Sequence, residues 1–192
     1  MAPQLTVPPN VAITYAWVGF FATWLAAAVW SRRTAARAGI SEIPSRLITV
    51  AGALLLFTPT HDFSIGPEWD VSDQFIWLMF AIVVAGLAFA WWARLYLGPL
   101  WSGSVTRKAD HRIVETGPYA LVRHPIYTGM LTAGWATALS RAETGAVIGA
   151  ILVCLGIWMK ARLEERFLSV ELGPEYAAYR ERVPMLVPFL RF

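Results

Sequence analysis

Thirteen residues, GPYALVRHPIYTG from Gly117 to Gly129, stand between two apolar segments and guide the interpretation of the whole chain. Pro118 and Pro125 each lack a backbone N–H donor and restrict the preceding residue away from helix. We therefore predict a structured loop that leads into a new helix, with Pro125 in its first turn. The stretch also carries Arg123, a fixed positive fork, and His124, a donor and acceptor near neutral pH. These groups suit a small anionic or aromatic molecule held at a membrane edge.

The composition around this stretch is typical of a membrane protein. Hydrophobic residues make up 57% of the 192 residues and charged residues 15%, with ten tryptophans; soluble proteins have about 45–50% and about 25%. The net charge of +3 comes from basic residues between apolar segments, so it indicates membrane topology and not a nucleic-acid partner. The single cysteine, Cys154, lies in an apolar run, which excludes an internal disulfide, and no metal site is predicted.

The apolar runs predict an all-α, polytopic membrane protein with about five transmembrane helices. They are Val11–Trp30, Leu47–Thr60, Gln74–Leu97, Pro125–Ser140 and Thr144–Met159. Only three residues separate the last two runs, which favours an antiparallel helical hairpin. Arg94, near the end of the third run, is expected to snorkel towards water. We expect one integral-membrane domain over residues 1–192, with N-terminal spans in 1–97 and the loop, hairpin and C-terminal helices in 98–192.

The loops between these runs alternate in charge. Residues 31–46 carry four arginines and one acid, residues 61–73 carry four acids and no lysine or arginine, and residues 98–124 are again basic. Under the positive-inside rule this pattern predicts an N-terminus outside, and a 98–124 loop and C-terminus in the cytosol.

The composition becomes charged after Met159, and we predict amphipathic cytosolic helices there. Residues 160–171 place apolar side chains at helical spacing, Gly173 and Pro174 end that helix and start another, and Pro184 ends the second. Such helices often contact lipid headgroups. Residues 160–192, however, carry six basic and five acidic residues, whereas a lipid-binding tail would be strongly basic. They also fall on the same predicted side as the Arg123–His124 loop, so the two segments can form one site.

Two motifs carry a resemblance to a known family. The first is G-x-Y-x-x-x-R-H-P-x-Y-x-G at Gly117–Gly129; the second is E-E-x-x-L at Glu164–Leu168 followed by G-x-E-Y-x-x-Y-x-x-R-V-P at Gly173–Pro184. Together they resemble the isoprenylcysteine carboxyl methyltransferase family, integral-membrane enzymes that use S-adenosylmethionine. The resemblance covers roughly residues 112–190. The first three apolar runs match only in being apolar.

The resemblance implies that the loop and the C-terminal helices enclose S-adenosylmethionine. The residues it assigns to cofactor binding are Gly117, Tyr119, His124, Pro125, Tyr127, Gly129, Glu164, Glu165, Leu168, Tyr176 and Tyr179. Glu165, and with it Glu164, would face the ammonium group of the cofactor. The absence of a G-x-G-x-x-G motif after a strand argues against a Rossmann domain and fits an all-helical methyltransferase.

A carboxylate acceptor is ionised at neutral pH and needs no base, so it needs only a positive partner and a site closed to water. Arg123 and Arg182 are the candidates for holding it, because a guanidinium can grip a carboxylate with two hydrogen bonds. With Glu165 they form the predicted catalytic set. We therefore expect carboxyl O-methylation of a lipophilic, isoprenylcysteine-like substrate that enters from the membrane lipids.

Other interpretations remain open at this point. Tyr176 and Tyr179 also suit aromatic residues at a membrane interface, and Glu164 also suits a solvated helix charge. An NADPH-dependent sterol or steroid reductase has similar C-terminal motifs, a phospholipid N-methyltransferase would use the same cofactor, and a membrane scaffold would need none.

Overall fold

The computed structural model describes residues 7–27, 34–37, 42–59, 63, 65–98, 101, 106–108 and 113–190. Five α-helices dominate it: α1 Pro9–Ala26, α2 Ile43–Phe57, α3 Asp73–Leu97, α4 Pro125–Arg141 and α5 Thr144–Arg182. A short 3₁₀ helix, Gly117–Ala120, precedes α4. The predicted all-α fold class is confirmed.

The described residues also include an antiparallel pair of very short strands, β1 Thr34–Arg37 and β2 Thr106–Lys108. The sequence of these segments lacks the alternation of apolar and polar residues that would predict a strand.

Proline and small residues set several of the helix boundaries. Pro9 lies in the first turn of α1, and Pro125 begins α4 as predicted. The Ser72 side chain caps α3 by accepting a hydrogen bond from the Phe75 backbone N–H at 3.2 Å. α4 ends at Ala142, which adopts the left-handed conformation with φ 54°. Only Ala142 and Glu143 separate α4 from α5, so the predicted hairpin is present.

α5 differs from its prediction because it does not end at Met159. It continues through the charged residues to Arg182, with one kink at Gly173, where φ is 56° and ψ is −133°. A change from apolar to charged side chains does not interrupt backbone hydrogen bonding, and no glycine or proline lies between Met159 and Glu171. Gly173 and Pro174 interrupt the helix as predicted, because glycine tolerates positive φ and proline lacks a donor. One continuous rod therefore joins the apolar bundle to the charged tail.

By length and composition, two of the helices in the described part of the chain can cross a membrane, α3 and α5; α2 is a shorter apolar helix. The count of about five spans stays a prediction.

Helix pairs approach closely through glycines. α3 packs along α4 where Gly86 faces Gly129, and α2 packs along α5 where Gly52 faces Gly149. A Cβ atom on Gly86 would lie 2.6 Å from the Gly129 carbonyl oxygen, and one on Gly149 would lie 2.7 Å from the Gly52 carbonyl oxygen. Small residues at such crossings let helix backbones meet, as is common in membrane bundles.

Arg94 does not snorkel to water as predicted. Its side chain is fully buried; Nη2 donates to the Ala27 carbonyl oxygen at 2.8 Å, and Nη1 donates to the Gly98 carbonyl oxygen at 3.0 Å. The guanidinium carbon also lies 4.0 Å from the centroid of the Trp101 ring. Carbonyl oxygens and an aromatic face near the helix end thus replace water, and Arg94 ties α1 to α3.

Replacing Gly86 with alanine tests the packing of α3 on α4. Because the new methyl group would meet the α4 backbone, we expect Gly86→Ala to lower the free energy of unfolding by about 2 kcal/mol. Gly19→Ala is the matched control, since nothing lies within 4 Å of a Cβ atom at Gly19 on α1. The control should be neutral or stabilising by up to about 1 kcal/mol. Thermal unfolding in detergent measures both variants, and equal stability of the two would contradict this account.

Candidate active site

The 3₁₀ helix, the start of α4, the charged half of α5 and the segment after it meet at one end of the bundle. The backbone N–H of Arg123 donates to the Pro184 carbonyl oxygen at 2.8 Å, and that of His124 donates to the Met185 carbonyl oxygen at 3.1 Å. The Thr128 hydroxyl donates to the Leu186 carbonyl oxygen at 2.7 Å. His124, which precedes Pro125, has φ −122° and ψ 62°, outside the helical region, so the loop can pair here with the segment after α5. The two motifs that are far apart in sequence are therefore joined first through the backbone.

Glu165 is the centre of the side-chain contacts. Its carboxylate accepts hydrogen bonds from Arg123 Nε at 2.8 Å and Nη2 at 2.9 Å, a bidentate pair. Tyr176 Oη donates to the same carboxylate at 2.9 Å, and Arg180 Nε lies 3.0 Å from it. His124 Nε2 lies 2.9 Å from Glu165 Oε1. A buried carboxylate is costly unless it is paired and hydrogen-bonded, and these four partners meet that condition.

Glu164 forms a second, adjoining set of contacts. Tyr127 Oη donates to Glu164 Oε1 at 2.7 Å, and His124 Nδ1 lies 3.3 Å from Glu164 Oε2. The rings of His124 and Tyr127 stack with centroids 5.5 Å apart. Lys160 Nζ lies 5.5 Å from the centroid of the Tyr127 ring. His124 thus bridges two neighbouring carboxylates on α5.

The pKa shifts follow from these contacts, in a part of α5 beyond its apolar segment. Burial alone would raise the pKa of Glu165, but the hydrogen bonds from His124 and Arg123 outweigh it and lower that pKa to about 2. Burial alone would lower the pKa of His124, whereas its hydrogen bonds to Glu164 and Glu165 raise it above the ordinary value. The cluster therefore favours two ionised carboxylates and a protonated imidazole.

Arg123 has further partners besides Glu165. Its Nη1 donates to the carbonyl oxygens of Arg180, at 3.1 Å, and Val183. The side chain is buried, and its N–H groups hold α5 and the segment after it against the loop. A substrate carboxylate would have to displace these partners before Arg123 could bind it.

Three predicted tyrosine and leucine positions form one wall of the cluster. Tyr179 Oη donates to the Tyr119 carbonyl oxygen at 2.7 Å, and the ring of Tyr179 lies edge-on to that of Tyr176. Leu168 packs against the hydrophobic cluster that these two residues form with Val183. Both C-terminal tyrosines are buried, so they do not face the membrane interface in this arrangement.

The remaining predicted residues lie at the edge of the cluster or in the packing beneath it. Gly117, with φ 59°, lies against the Tyr96 ring, and Gly129 lies against Gly86 of α3. Pro125 is fully buried at the start of α4. The cofactor roles given to these residues stay predictions, since helix packing accounts for their contacts.

Arg182 lies apart from Glu165. Its side chain is 57% exposed and pairs with Glu115, which is 37% exposed. The side chain that reaches Glu165 instead is Arg180, which is not among the predicted site residues. Its spacing of four residues from Tyr176 is a signal that could have identified it, because such residues share one helix face.

Fold and site together define a helical membrane protein with a buried, polar, ion-paired cluster at one end of its bundle. A model of the isoprenylcysteine carboxyl methyltransferase (ICMT) family matches residues 77–169, which include Arg123, His124, Glu164 and Glu165. The resemblance predicted from the two motifs is therefore confirmed over this region.

A solved structure shares the fold. The structure of the eukaryotic intramembrane Ras methyltransferase ICMT aligns with a TM-score of 0.64 over 97% of this chain and 70% of that protein, at 19% identity.

Curated relatives are named as methyltransferases of two kinds. Methanethiol S-methyltransferase 1 of Bradyrhizobium diazoefficiens is 29% identical over 64% of this chain and 46% of its own length. Methanethiol S-methyltransferase of a Pseudomonas species is 47% identical over 36% of this chain and 26% of its own length. Protein-S-isoprenylcysteine O-methyltransferase B of Arabidopsis thaliana is 31% identical over 45% of this chain and 44% of its own length. The chain thus matches less than half the length of each.

Replacing Glu165 with glutamine tests the buried pair. At neutral pH, Glu165→Gln leaves Arg123 without its anionic partner, so we expect a loss of about 3 kcal/mol or more of stability. The pKa of Glu165 is depressed in the folded protein, so its contribution is present above the unfolded pKa of about 4.3 and is lost as the pH falls through about 2. Unfolding in detergent at pH 7 and pH 3 should show a smaller difference from wild type at the lower pH.

Glu115→Gln serves as the control for that measurement, since it breaks an exposed pair that contributes at most about 1 kcal/mol. A Glu165→Gln variant as stable at pH 7 as this control would contradict the importance given to the buried pair.

Proposed function

We propose that this chain transfers a methyl group from S-adenosylmethionine to a lipophilic acceptor at the membrane–cytosol interface. The observation that carries the proposal is the 2.9 Å contact between His124 and Glu165, 41 residues apart in sequence, inside the region matched by the ICMT family. The family match and the named methyltransferase relatives support methyl transfer. They give no support to the NADPH-dependent reductase or the phospholipid N-methyltransferase considered above.

The chemistry of the cluster fits the cofactor. S-Adenosylmethionine carries an ammonium group, a carboxylate, an adenine and a positive sulfonium, and when bound it supplies an electrophilic methyl group. Glu164 has one hydrogen bond to each oxygen, from Tyr127 and His124, and a carboxylate has about four acceptor positions. It therefore has capacity for an ammonium group. The half-buried Tyr127 ring beside Glu164 offers an aromatic face, which attracts cations. Tyr176 and Tyr179 are buried and would form the wall of the pocket.

The residues of this chain would act mainly by holding groups in position. Arg123 and Glu165 fix the loop before α4 against α5, which sets His124 and Tyr127 relative to Glu164. The buried tyrosines exclude water from the cluster. Correct orientation of a nucleophile at an electrophilic methyl group can contribute about 7–11 kcal/mol in favourable cases. No proton transfer is required of the chain when the acceptor is already an anion.

For the acceptor we propose the carboxylate of an isoprenylcysteine-like group, with Arg182 as its positive partner. The Arg182–Glu115 pair is exposed, and such pairs contribute at most about 1 kcal/mol, so Arg182 can exchange Glu115 for another carboxylate at little cost. Arg123 already binds Glu165 and backbone carbonyl oxygens. We propose that its role is to position the loop before α4.

Thiol S-methylation is the second candidate. Several curated relatives are named methanethiol S-methyltransferases, and the buried arginine of the cluster already has a carboxylate partner. A thiol acceptor requires no additional cation, so it would leave those ion pairs intact. Because the thiolate is the nucleophile, the thiol would have to release its proton to solvent as its sulfur takes the methyl group.

We also propose one integral-membrane domain with its N-terminus outside, and with the cluster and C-terminus in the cytosol. The charge alternation of the loops supports this orientation, and the interleaved packing of N- and C-terminal helices supports a single domain.

The direct test is methyl transfer by the purified full chain in lipid nanodiscs. Labelled S-adenosylmethionine is supplied with a farnesylated cysteine bearing a free carboxylate, or with methanethiol, and the methylated product is identified. Label on the carboxylate supports the first candidate and label on the thiol the second. If neither product carries label and the cofactor does not bind, the proposed methyltransferase activity is rejected.

Cofactor binding should depend on Glu164. Glu164→Gln removes the negative charge but leaves the Arg123–Glu165 pair intact, so we expect at least tenfold weaker binding of S-adenosylmethionine by calorimetry. Glu175→Gln, an exposed carboxylate on the helix after Gly173, is the control and should bind like wild type. Unchanged binding by Glu164→Gln would remove Glu164 from the cofactor site.

Arg182→Ala should separate the two acceptors. With a carboxylate acceptor we expect turnover to fall at least tenfold, because the acceptor loses its positive partner, while thermal stability changes little. With a thiol acceptor the same variant should keep its turnover. Arg166→Ala, an exposed arginine on α5, is the control in both assays. Undiminished carboxyl methylation by Arg182→Ala would exclude the proposed role.

A further inference from the structure

A cavity of about 950 Å³ opens at the end of the bundle opposite to the His124–Glu165 cluster. α1, the end of α4 and the turn before α5 line it. Arg141, at the end of α4, is one helix length of about 25 Å from His124 at its start. The volume is in the upper part of the range of about 300–1,000 Å³ found for small-molecule sites. This cavity is therefore separate from the candidate active site.

The wall of the cavity is apolar and elongated. Ile13, Trp17 and Phe21 of α1 follow one another at intervals of four residues, so they form a stripe about 12 Å long. Phe57 of α2 lies edge-on to the Trp17 ring with centroids 5.3 Å apart. Trp17 Nε1 donates to Thr137 Oγ1 at 2.9 Å, which satisfies its polar group and fixes its ring. Such a surface suits a hydrocarbon chain.

Charged side chains line the cavity at the end of α4. Arg141 Nη2 donates to the Thr58 carbonyl oxygen at 3.2 Å and to Glu143 Oε1 at 2.9 Å. Arg141 Nε is buried and has no hydrogen-bond partner among the residues that the structure describes. A buried, unused N–H of a guanidinium is costly and suits the oxygen of a phosphate. The carboxylates of Asp70 and Glu143 also line the cavity.

We propose that this cavity binds one zwitterionic phospholipid. Its phosphate contacts Arg141, its ammonium group faces Asp70 and Glu143, and an acyl chain lies along α1. Charge selects the headgroup: one arginine and two carboxylates match a phosphate with an attached cation, whereas a purely anionic headgroup would be repelled. The site lies where α3 and α5 begin, the level at which headgroups surround a membrane helix. The proposal stands independently of methyl transfer, since it uses none of the residues of the candidate active site.

Native mass spectrometry of the full chain in mild detergent tests the proposal, with phosphatidylethanolamine and phosphatidylglycerol of the same acyl chains as probes. We expect saturable 1:1 binding of phosphatidylethanolamine, at least tenfold tighter than that of phosphatidylglycerol. Arg141→Gln removes the phosphate partner, and Val18→Trp places a ring in the cavity from an exposed position on α1. Each should weaken phosphatidylethanolamine binding at least tenfold.

Two control variants separate site binding from general effects. Arg46→Gln breaks a comparable ion pair, with Glu42, away from the cavity. Leu25→Trp adds a ring on an exposed part of α1 that does not line it. Both should bind like wild type. Equal binding of the two lipids, a preference for phosphatidylglycerol, absence of 1:1 binding, or equal loss in test and control variants would overturn the proposal.

Discussion

The bidentate pair between Arg123 and Glu165 is the interaction on which the candidate site depends. It joins the loop before α4 to the charged half of α5, and the same guanidinium reaches the backbone of the segment beyond α5. A buried pair of this kind adds stability only if its remaining hydrogen-bonding groups are also satisfied. His124, Tyr176 and Arg180 satisfy them. The pair therefore stabilises the fold and also positions the site, because the contacts that offset the cost of burying it also orient His124.

The position of this pair is set in turn by the helices that carry its members. α5 runs without interruption from the apolar bundle to Glu165, so its packing against α2 through Gly52 and Gly149 determines where the carboxylates lie. α4 packs against α3 through Gly86 and Gly129, which determines where the loop emerges. Glycines far from the chemistry thus contribute to its geometry, because helices are stiff over such lengths.

Much of the site could be predicted from the sequence, because its elements have strong local signals. Pro118 and Pro125 mark a loop and a helix start, and Gly173 with Pro174 marks the kink. Charged and polar residues such as Arg123, His124 and two carboxylates are costly in an apolar protein unless they pair with one another. Their presence in the two motifs therefore predicts that they lie close together. The position of each apolar run was also predictable from composition, which is the dominant constraint in a membrane.

The remaining features depend on long-range contacts that have no local signal. The continuity of α5 is not predictable locally, because the change in polarity after Met159 resembles a helix end. The sequence predicts that Arg94 reaches water, but carbonyl oxygens and Trp101 are nearer in the folded chain. Arg180 and Arg182 are only two residues apart, and helix direction alone decides that the first reaches Glu165 and the second reaches Glu115. A sequence pattern that treats charged residues alike cannot separate them.

The charges of the cluster also bear on its acceptor. Within it, Glu164 and Glu165 are matched by Arg123, His124 and the half-exposed Arg180, and Lys160 also acts on Glu164. The two carboxylates are therefore already balanced by cations before any ligand enters. S-Adenosylmethionine brings a net positive charge, and its ammonium group would be most favourable beside Glu164, the more exposed of the two carboxylates. An anionic acceptor would then gain from that added cation as well as from Arg182, whereas a neutral thiol would gain from neither. A carboxylate acceptor would therefore be compatible with a cluster whose own arginine is already paired, because the cofactor would supply part of the positive charge that the acceptor needs.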